Sequence, residues 1–474
     1  MVSLSRTIFK AYDIRGVVGS TLDAGIARRI GEAFGAAALA KGERKVVIGR
    51  DGRLSAAELA AALARGLQAA GVDVIDLGMV ATPMLYFATN VLDAHSGIMV
   101  TGSHNPPDYN GFKMVLAGET LHGDAIQDLY EAIARDGQGG DANQNTADAV
   151  PSEVGYTTHD IRDAYIRRIA GDVRIARPIR IAIDAGNGVA GAFAGGLFRA
   201  MGCEVIELFC DVDGRFPNHH PDPAQPENLA DLIDKLRTDD AEIGLAFDGD
   251  GDRLGVVTKD GRIIYPDRQM MLFASDVLSR HPGARILYDV KCTRHLGPWI
   301  ASHGGEPLMW KTGHSLLKAK LKETGASLGG ELSGHIFWKD RWFGFDDGLY
   351  TGARLLEIVT RVADPSALLN ALPAAYTTPE LHLHLAEGEH FALIDKLRAS
   401  ATFPGAERIV DIDGLRVEYA DGFGLARASN TTPVVVLRFE ADTPQALARI
   451  QQDCARVILA VAPDATLPFG ASRP

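Results

Sequence analysis

The sequence predicts three related α/β domains followed by an α+β domain of another kind. Three observations predict it. Buried strand-like runs alternate with helix-periodic stretches, which implies crossover connections and a largely parallel sheet covered on both faces. That alternation begins afresh near residue 179 and again near residue 285. Over roughly the last hundred residues it gives way to alternating strand patterns and hairpin signals.

In the first round Leu22, Ile26, Ile30 and Phe34 mark one helix face, with Gly42 as its stop. Val46-Val47-Ile48 is a short buried strand, and Ser55-Ala56-Ala57-Glu58 reads as a capping box opening a helix that ends near Gly71. A strand over 72–77, a helix over 84–92 and the apolar run Ile98-Met99-Val100 follow. The polar, turn-rich stretch 139–146 marks a domain boundary. The second round has a strand over 179–183, the tight loop Asp184-Ala185-Gly186-Asn187-Gly188, a helix over 189–201 and strands over 204–208 and 243–247. The third has a strand over 285–290, a helix to His303, a strand over 307–310, a helix from Ser315 and a strand near Leu328. In the last part Leu381-His382-Leu383-His384-Leu385 alternates as a half-buried strand does. Asp413-Gly414 is a hairpin turn, and Thr443-Pro444 caps a final helix. The expected domains are 1–150, 151–258, 259–372 and 373–474.

At 474 residues the chain exceeds one ordinary domain, and length alone suggests about three or four. Hydrophobic residues make up 46% and charged residues 23%, the balance of a soluble folded protein and not of a disordered one. The net charge of −13 argues against nucleic-acid or anionic-membrane binding, since both reward a basic surface. An anionic substrate would therefore need cations gathered locally. Cys203, Cys210, Cys292 and Cys454 show no CxxC or metal-ligand spacing, and are expected to be reduced thiols in a cytoplasmic protein. Residues 1–10 do not read as a signal peptide, and no apolar run is long enough to span a bilayer.

The chemistry concentrates in strand-end loops, where ligands bind in open α/β sheets. Thr101-Gly102-Ser103-His104-Asn105-Pro106-Pro107 places a hydroxyl beside an imidazole and stiffens the exit with two prolines, and Lys113 brings back a cation. Such a serine suits a transferable acyl or phosphoryl group; the bland alternative is a polar turn. Asp248-Gly249-Asp250-Gly251-Asp252-Arg253 can converge three carboxylates on one hard cation, with Arg253 offsetting surplus charge. An EF-hand loop fails, because Arg253 stands at its sixth position and Lys259 at its twelfth. A metal that binds a phosphate there acts on it as a Lewis acid, tying this loop to Ser103. Lys311-Thr312-Gly313-His314 supplies polar groups, and Glu331 and Ser333 in Gly330-Glu331-Leu332-Ser333-Gly334-His335 could face a diol. Arg427-Ala428-Ser429-Asn430-Thr431-Thr432-Pro433 describes a phosphate cradle. Tyr12 and Arg15 form either a surface turn or an anion-binding arm. Pro217-Asn218-His219-His220-Pro221-Asp222-Pro223 reads as a stiff proline loop rather than a zinc site, since no Cys or HExxH partner accompanies it.

Together, residues 11–16, 101–113, 248–253, 311–314, 330–335 and 427–433 resemble the α-D-phosphohexomutase superfamily, most closely its bacterial phosphomannomutase/phosphoglucomutase branch, over almost the whole chain. The resemblance implies three related mixed-sheet α/β domains and a mobile C-terminal α+β domain around a central cleft. It implies a phosphoserine at Ser103, with Mg²⁺ held by Asp248, Asp250, Asp252 and the Ser103 phosphate. Glu331 and Ser333 would grip the sugar, while Arg427, Ser429, Asn430 and Thr431 would hold its non-reacting phosphate. Tyr12, Arg15, Lys291 and His314 would line the cleft, with Arg253 and His335 also at the substrate. Ser103, His104, Lys113, His335 and Arg15 make up the implied catalytic set. His104, Lys113 and His335 are the proton-carrier candidates, Lys113 only if its pKa is lowered by its surroundings. The implied activity is reversible phosphoryl transfer between the 1- and 6-positions of a hexose phosphate, through a bisphosphate, with glucose 1,6-bisphosphate or an equivalent as activator. Leu332 departs from the Met expected in this branch, which leaves mannose, glucose and glucosamine phosphates as alternatives. A metal-dependent phosphohydrolase and a non-catalytic sugar-phosphate sensor are the rival readings. A cytoplasmic monomer without nucleic-acid or membrane partners is expected.

Overall fold

Helices Ala24–Ala40 and Ala56–Ala69 lie side by side because glycines let their backbones meet. A Cβ on Gly66 would come within 2.0 Å of the Arg28 carbonyl oxygen, and one on Gly31 within 2.3 Å of that of Leu63. The computed structural model describes residues 2–136 and 154–470; the turn-rich stretch 139–146 lies outside the described residues. The Ser55 capping box does not form. Ser55 sits in helical geometry without a capping bond, and its hydroxyl accepts from Asn110 Nδ2 at 2.9 Å.

The first sheet runs in the order Ile14–Val17, Tyr109–Leu116, Ser96–Val100, Lys45–Arg50, Asp73–Met79, Tyr156–Thr158. Tyr156–Thr158, beyond the boundary expected at 150, pairs with Asp73–Met79 of this first sheet. The second sheet orders Ile263–Ile264, Leu254–Thr258, Ile243–Phe247, Arg180–Asp184 and Glu204–Leu208. The third orders Glu306–Trp310, Arg285–Asp289, Leu328–Gly330 and Ile336–Trp338. Each has parallel central pairs and an antiparallel return strand, so all three are mixed. The fourth sheet is six-stranded and antiparallel, covered by Glu389–Ser400 and Pro444–Val461. Thr443 caps the last helix by accepting from the Ala446 amide at 3.2 Å, as its sequence predicts.

The antiparallel returns position the chemistry. The loops after Ser96–Val100, Ile243–Phe247, Leu328–Gly330 and Gly422–Ala428 each join a strand to the neighbour that pairs with it antiparallel. A short connection forces that orientation. All four loops are therefore hairpin tips.

One apolar core runs through the first three domains, joining Phe87, Tyr165, Phe198, Phe273 and Trp338. The fourth domain has its own core around Leu393, Leu437 and Ile458, and meets the third through Val290, Phe423 and Leu425. Among the described residues no helix is long and apolar enough to cross a membrane. All four cysteines are free.

Candidate active site

Ser103 leaves a fully buried strand on a loop that is bonded from within and from behind. Thr101 Oγ1 and the Gly102 amide donate to Asp51 Oδ2 at 2.8 and 3.2 Å, and the Ser103 amide donates to Thr101 Oγ1 at 2.8 Å. Arg53 fills the inside of the turn. Its guanidinium donates to the carbonyls of Ser103 at 2.7 Å, Asn105 at 2.6 Å, Pro106 at 2.5 Å and Tyr109 at 2.9 Å. Gly102 is required beside it, since a Cβ there would lie 2.4 Å from Arg53 Cζ. The result is a serine held at φ 48°, in left-handed backbone that costs a non-glycine residue energy. Its Oγ donates to Asp248 Oδ2 at 3.1 Å and lies 3.2 Å from His104 Nδ1.

The aspartate loop meets this serine because Gly249 has no side chain; a Cβ there would sit 2.2 Å from the Ser103 carbonyl oxygen. Asp248 Oδ1 accepts from the amides of Gly251 and Arg253 at 3.1 Å each. Thr82 Oγ1 donates to Asp250 Oδ2 at 2.6 Å, and Lys113 Nζ donates to Asp250 at 2.8 Å and Asp252 at 2.5 Å. Ligand atoms of the three aspartates lie within 4.8 Å of one another. Asp250 Oδ1 and Asp252 Oδ1 are buried without a hydrogen-bond partner among the described residues. Orphaned carboxylate oxygens on one centre fit a hard divalent cation such as Mg²⁺. Burial, with Asp252 and Asp250 adding to it against Arg253, pushes Asp248 up to about 7.

Lys113 does not meet the condition for a proton-accepting lysine. Burial pulls its pKa down, but Asp250 and Asp252 outweigh burial and raise it well above the usual lysine value, so it stands as a cation. The other two candidates separate. Burial, then Arg253 and Arg15, hold His104 well below the ordinary histidine range, leaving it neutral. His335 faces carboxylates from both nitrogens: Nδ1 lies 2.9 Å from Glu331 Oε2 and Nε2 lies 3.4 Å from Asp252 Oδ1. The negative charge of these two carboxylates overcomes the burial penalty and raises His335 to about 9, which keeps both ring nitrogens protonated.

The Glu331 loop is fixed by the Gly313 amide, which donates to Glu331 Oε1 at 2.5 Å, and Ser333 Oγ lies 2.9 Å from His335 Nδ1. His314 stacks on His335 with ring centroids 5.4 Å apart. Asp346 backs this pair, 3.5 Å from His314 Nδ1, and accepts from Lys318 Nζ at 2.8 Å. Arg253 donates through Nε to Asp248 at 2.9 Å and forms a β-bridge with His335, tying the second domain to the third.

The fourth domain reaches both the first and the third. Asn430 Nδ2 donates to Tyr12 Oη, Tyr12 Oη donates to the Thr312 carbonyl at 2.8 Å, and the Thr312 amide donates to Asp413 at 3.0 Å. Asp413 also accepts from Arg427 Nε at 3.0 Å, and Lys291 Nζ pairs with Glu380 at 2.6 Å. The amides of Thr431 and Thr432 donate to Ser429 Oγ at 3.3 Å. Arg15 donates to Asn105 and Asp13. Contacts therefore link expected residues of all four domains, with Tyr12, Arg15, His104 and Ser103 from the first domain and Asn430 and Arg427 from the last. Asp51, Arg53, Thr82, Lys318, Asp346, Glu380 and Asp413 were not anticipated. Asp51 and Arg53 carried a readable signal, since Asp51-Gly52-Arg53 also follows a buried strand.

Family models match in series: phosphoglucomutase/phosphomannomutase alpha/beta/alpha domain I over residues 6–139, domain II over 163–261, domain III over 265–376 and the C-terminal domain over 357–457. A phosphoglucomutase of Neisseria meningitidis is 58% identical over 459 residues, covering 97% of this chain and 98% of that one. A phosphomannomutase/phosphoglucomutase of Pseudomonas aeruginosa is 54% identical over 469 residues, covering 98% of each. The crystal structure of a phosphoglucomutase/phosphomannomutase family protein from Burkholderia thailandensis superposes with a TM-score of 0.92 at 63% identity, covering 98% of this chain and 100% of that one.

Proposed function

This chain belongs to the phosphoglucomutase/phosphomannomutase family, and we propose on that premise that it moves a phosphoryl group reversibly between the 1- and 6-positions of mannose or glucose phosphate. Ser103 carries the group and a hexose 1,6-bisphosphate is the intermediate. The observation that supports this best is the seat of Ser103 Oγ, 3.1 Å from Asp248 and 3.2 Å from a neutral His104.

In the loading direction Ser103 Oγ bonds to phosphorus of the bisphosphate, and the bond from that phosphorus to the sugar oxygen breaks. His104 takes the Ser103 proton; protonated His335, beside Glu331 and Ser333, gives one to the departing sugar oxygen. The reverse direction, on the opposite sugar hydroxyl, returns both protons. Lys113 and Arg253 stabilise the charge spread over the phosphoryl oxygens. Asp248, Asp250 and Asp252 would hold Mg²⁺ with the Ser103 phosphate, and that ion supplies positive charge that polarises the phosphoryl group. Glu331 and Ser333 grip the sugar. Arg427, Ser429, Asn430 and Thr431 hold the non-reacting phosphate, while Tyr12, Arg15, Lys291 and His314 line its path. Glucose 1,6-bisphosphate, or an equivalent, loads Ser103. The four free cysteines support a cytoplasmic setting, and a site closed by four domains of one chain supports a monomer.

Intact mass after incubation with glucose 1,6-bisphosphate tests the reading. A species heavier by one phosphate should appear, and Ser103→Ala should abolish it. Coupled rates on mannose, glucose and glucosamine 1-phosphates rank the substrates. Free phosphate released as fast as isomerisation would turn the assignment to a phosphohydrolase.

A further inference from the structure

The proline-rich 217–223 loop of the second domain stands apart from the reaction, yet it touches both loops that carry it. On one side His220 Nε2 donates to the carbonyl of His104, next to Ser103. On the other the Gly249 amide donates to the Pro221 carbonyl at 3.1 Å, and Arg253 Nη1 donates to Asp222 Oδ1 at 3.3 Å. One short segment therefore grips the serine loop and the aspartate loop together. Its own anchorage is stiff. His219 Nδ1 lies 2.9 Å from the His220 carbonyl and its Nε2 lies 3.0 Å from Asp184, while Asn218 Nδ2 donates to Asn187 Oδ1 at 2.8 Å. The chain just before it also presses on the first domain, with the Phe216 ring 5.1 Å from the guanidinium that cages the serine turn.

We propose that the 217–223 loop is an interdomain strap that sets the reach from Ser103 Oγ to the aspartate loop, and that His220 is a positioning residue for Ser103, acting through the His104 carbonyl. Arg53 shapes the serine turn from inside its own domain, but the seat of that turn against Asp248 is an interdomain distance. Among the hydrogen bonds of the 217–223 loop, the one from His220 ties the serine turn directly to the chain that holds Gly249. Loss of that bond frees the serine turn to shift relative to Asp248 without unfolding either domain. Transfer between oxygens is sensitive to such shifts, about a hundredfold for 1 Å. The inference rests on Ser103 being the phosphoryl carrier.

Two variants separate positioning from packing. His220→Phe keeps a ring against Phe216 but removes the donor; His220→Gln keeps a donor at the position of Nε2 and removes the ring. With melting temperature and the phosphate load on Ser103 measured alongside steady-state kinetics, His220→Phe should lower kcat by about tenfold to a hundredfold with KM within threefold. His220→Gln should stay within about threefold of the unmodified protein. The proposal is overturned if His220→Phe turns over normally, or if both variants lose activity only in step with melting temperature. Should the unmodified protein never take phosphate on Ser103, the parent reading fails first. Normal loading with an indifferent His220→Phe sinks the strap alone.

Discussion

The two ends of the proposed site, one for reaction and one for holding phosphate, are built differently. The reacting end is set into the core that the first three domains share, and its carboxylates, cations and serine are buried and bonded across domain boundaries. The proposed phosphate-holding end stands on a domain with a separate core; it reaches the first domain through Asn430, and the third through Asp413, a small apolar contact and buried bonds such as those from Arg416 to the Val290 and Cys292 carbonyls and from Thr293 to Glu440. At the reacting end, carboxylate oxygens are left over. At the other end the cations Arg427 and Lys291 are already matched, by Asp413 and Glu380. Under the proposed function a substrate phosphate would displace or share those carboxylates, whereas the Ser103–Asp248 contact is in place beforehand. On that reading one end is organised for rate and the other for capture and release.

Changes at the reacting end should accordingly cost kcat and changes at the far end KM. Ser103→Ala should remove more than about 10³-fold of turnover, read by the coupled assay beside intact mass. Asp250→Asn should lower kcat by about 10²-fold or more and weaken Mg²⁺ binding measured by titration calorimetry, since it removes a charge from the aspartate centre. Arg427→Ala should raise KM by about 10- to 100-fold with kcat nearly intact, the scale of one charge-assisted hydrogen bond. An equal loss in kcat there would break the contrast between the ends. The smallest effect is one of pH. Burial lowers the His219 pKa, but Asp184 outweighs it and the value is raised, with Asp231 adding in the same sense. The stabilisation is thus complete below about 6.5, the value in the unfolded chain, and is lost as pH rises through the folded value. Melting temperature should fall over that interval, and Asp184→Asn should flatten the fall.

How much of this was legible depended on whether the chemistry was local. Ser103 with His104, the three aspartates, and Glu331 with Ser333 are neighbours in sequence at the tips of hairpins, and spacing alone exposed them. Arg53 reaches Ser103 across 50 residues and Thr82 reaches Asp250 across 168, pairings that no local pattern encodes. The Ser55 capping box was a correct local pattern defeated by a distant partner, Asn110, which took the hydroxyl. Charge state was likewise invisible. Lys113 lies near Ser103 in sequence, but only the folded position of Asp250 and Asp252 shows it to be a cation. The alternation of Leu381–His384 survived intact although its partner, Val434–Leu437, is distant in sequence, because one face of the strand packs on the core and the other is exposed.

The left-handed backbone at Ser103 carries a consequence for any directed evolution of this chain. Glycine would relax that turn, so a selection on heat tolerance alone drifts towards discarding the side chain proposed to carry the phosphoryl group. Under the proposed function, selection for turnover would hold the serine in place.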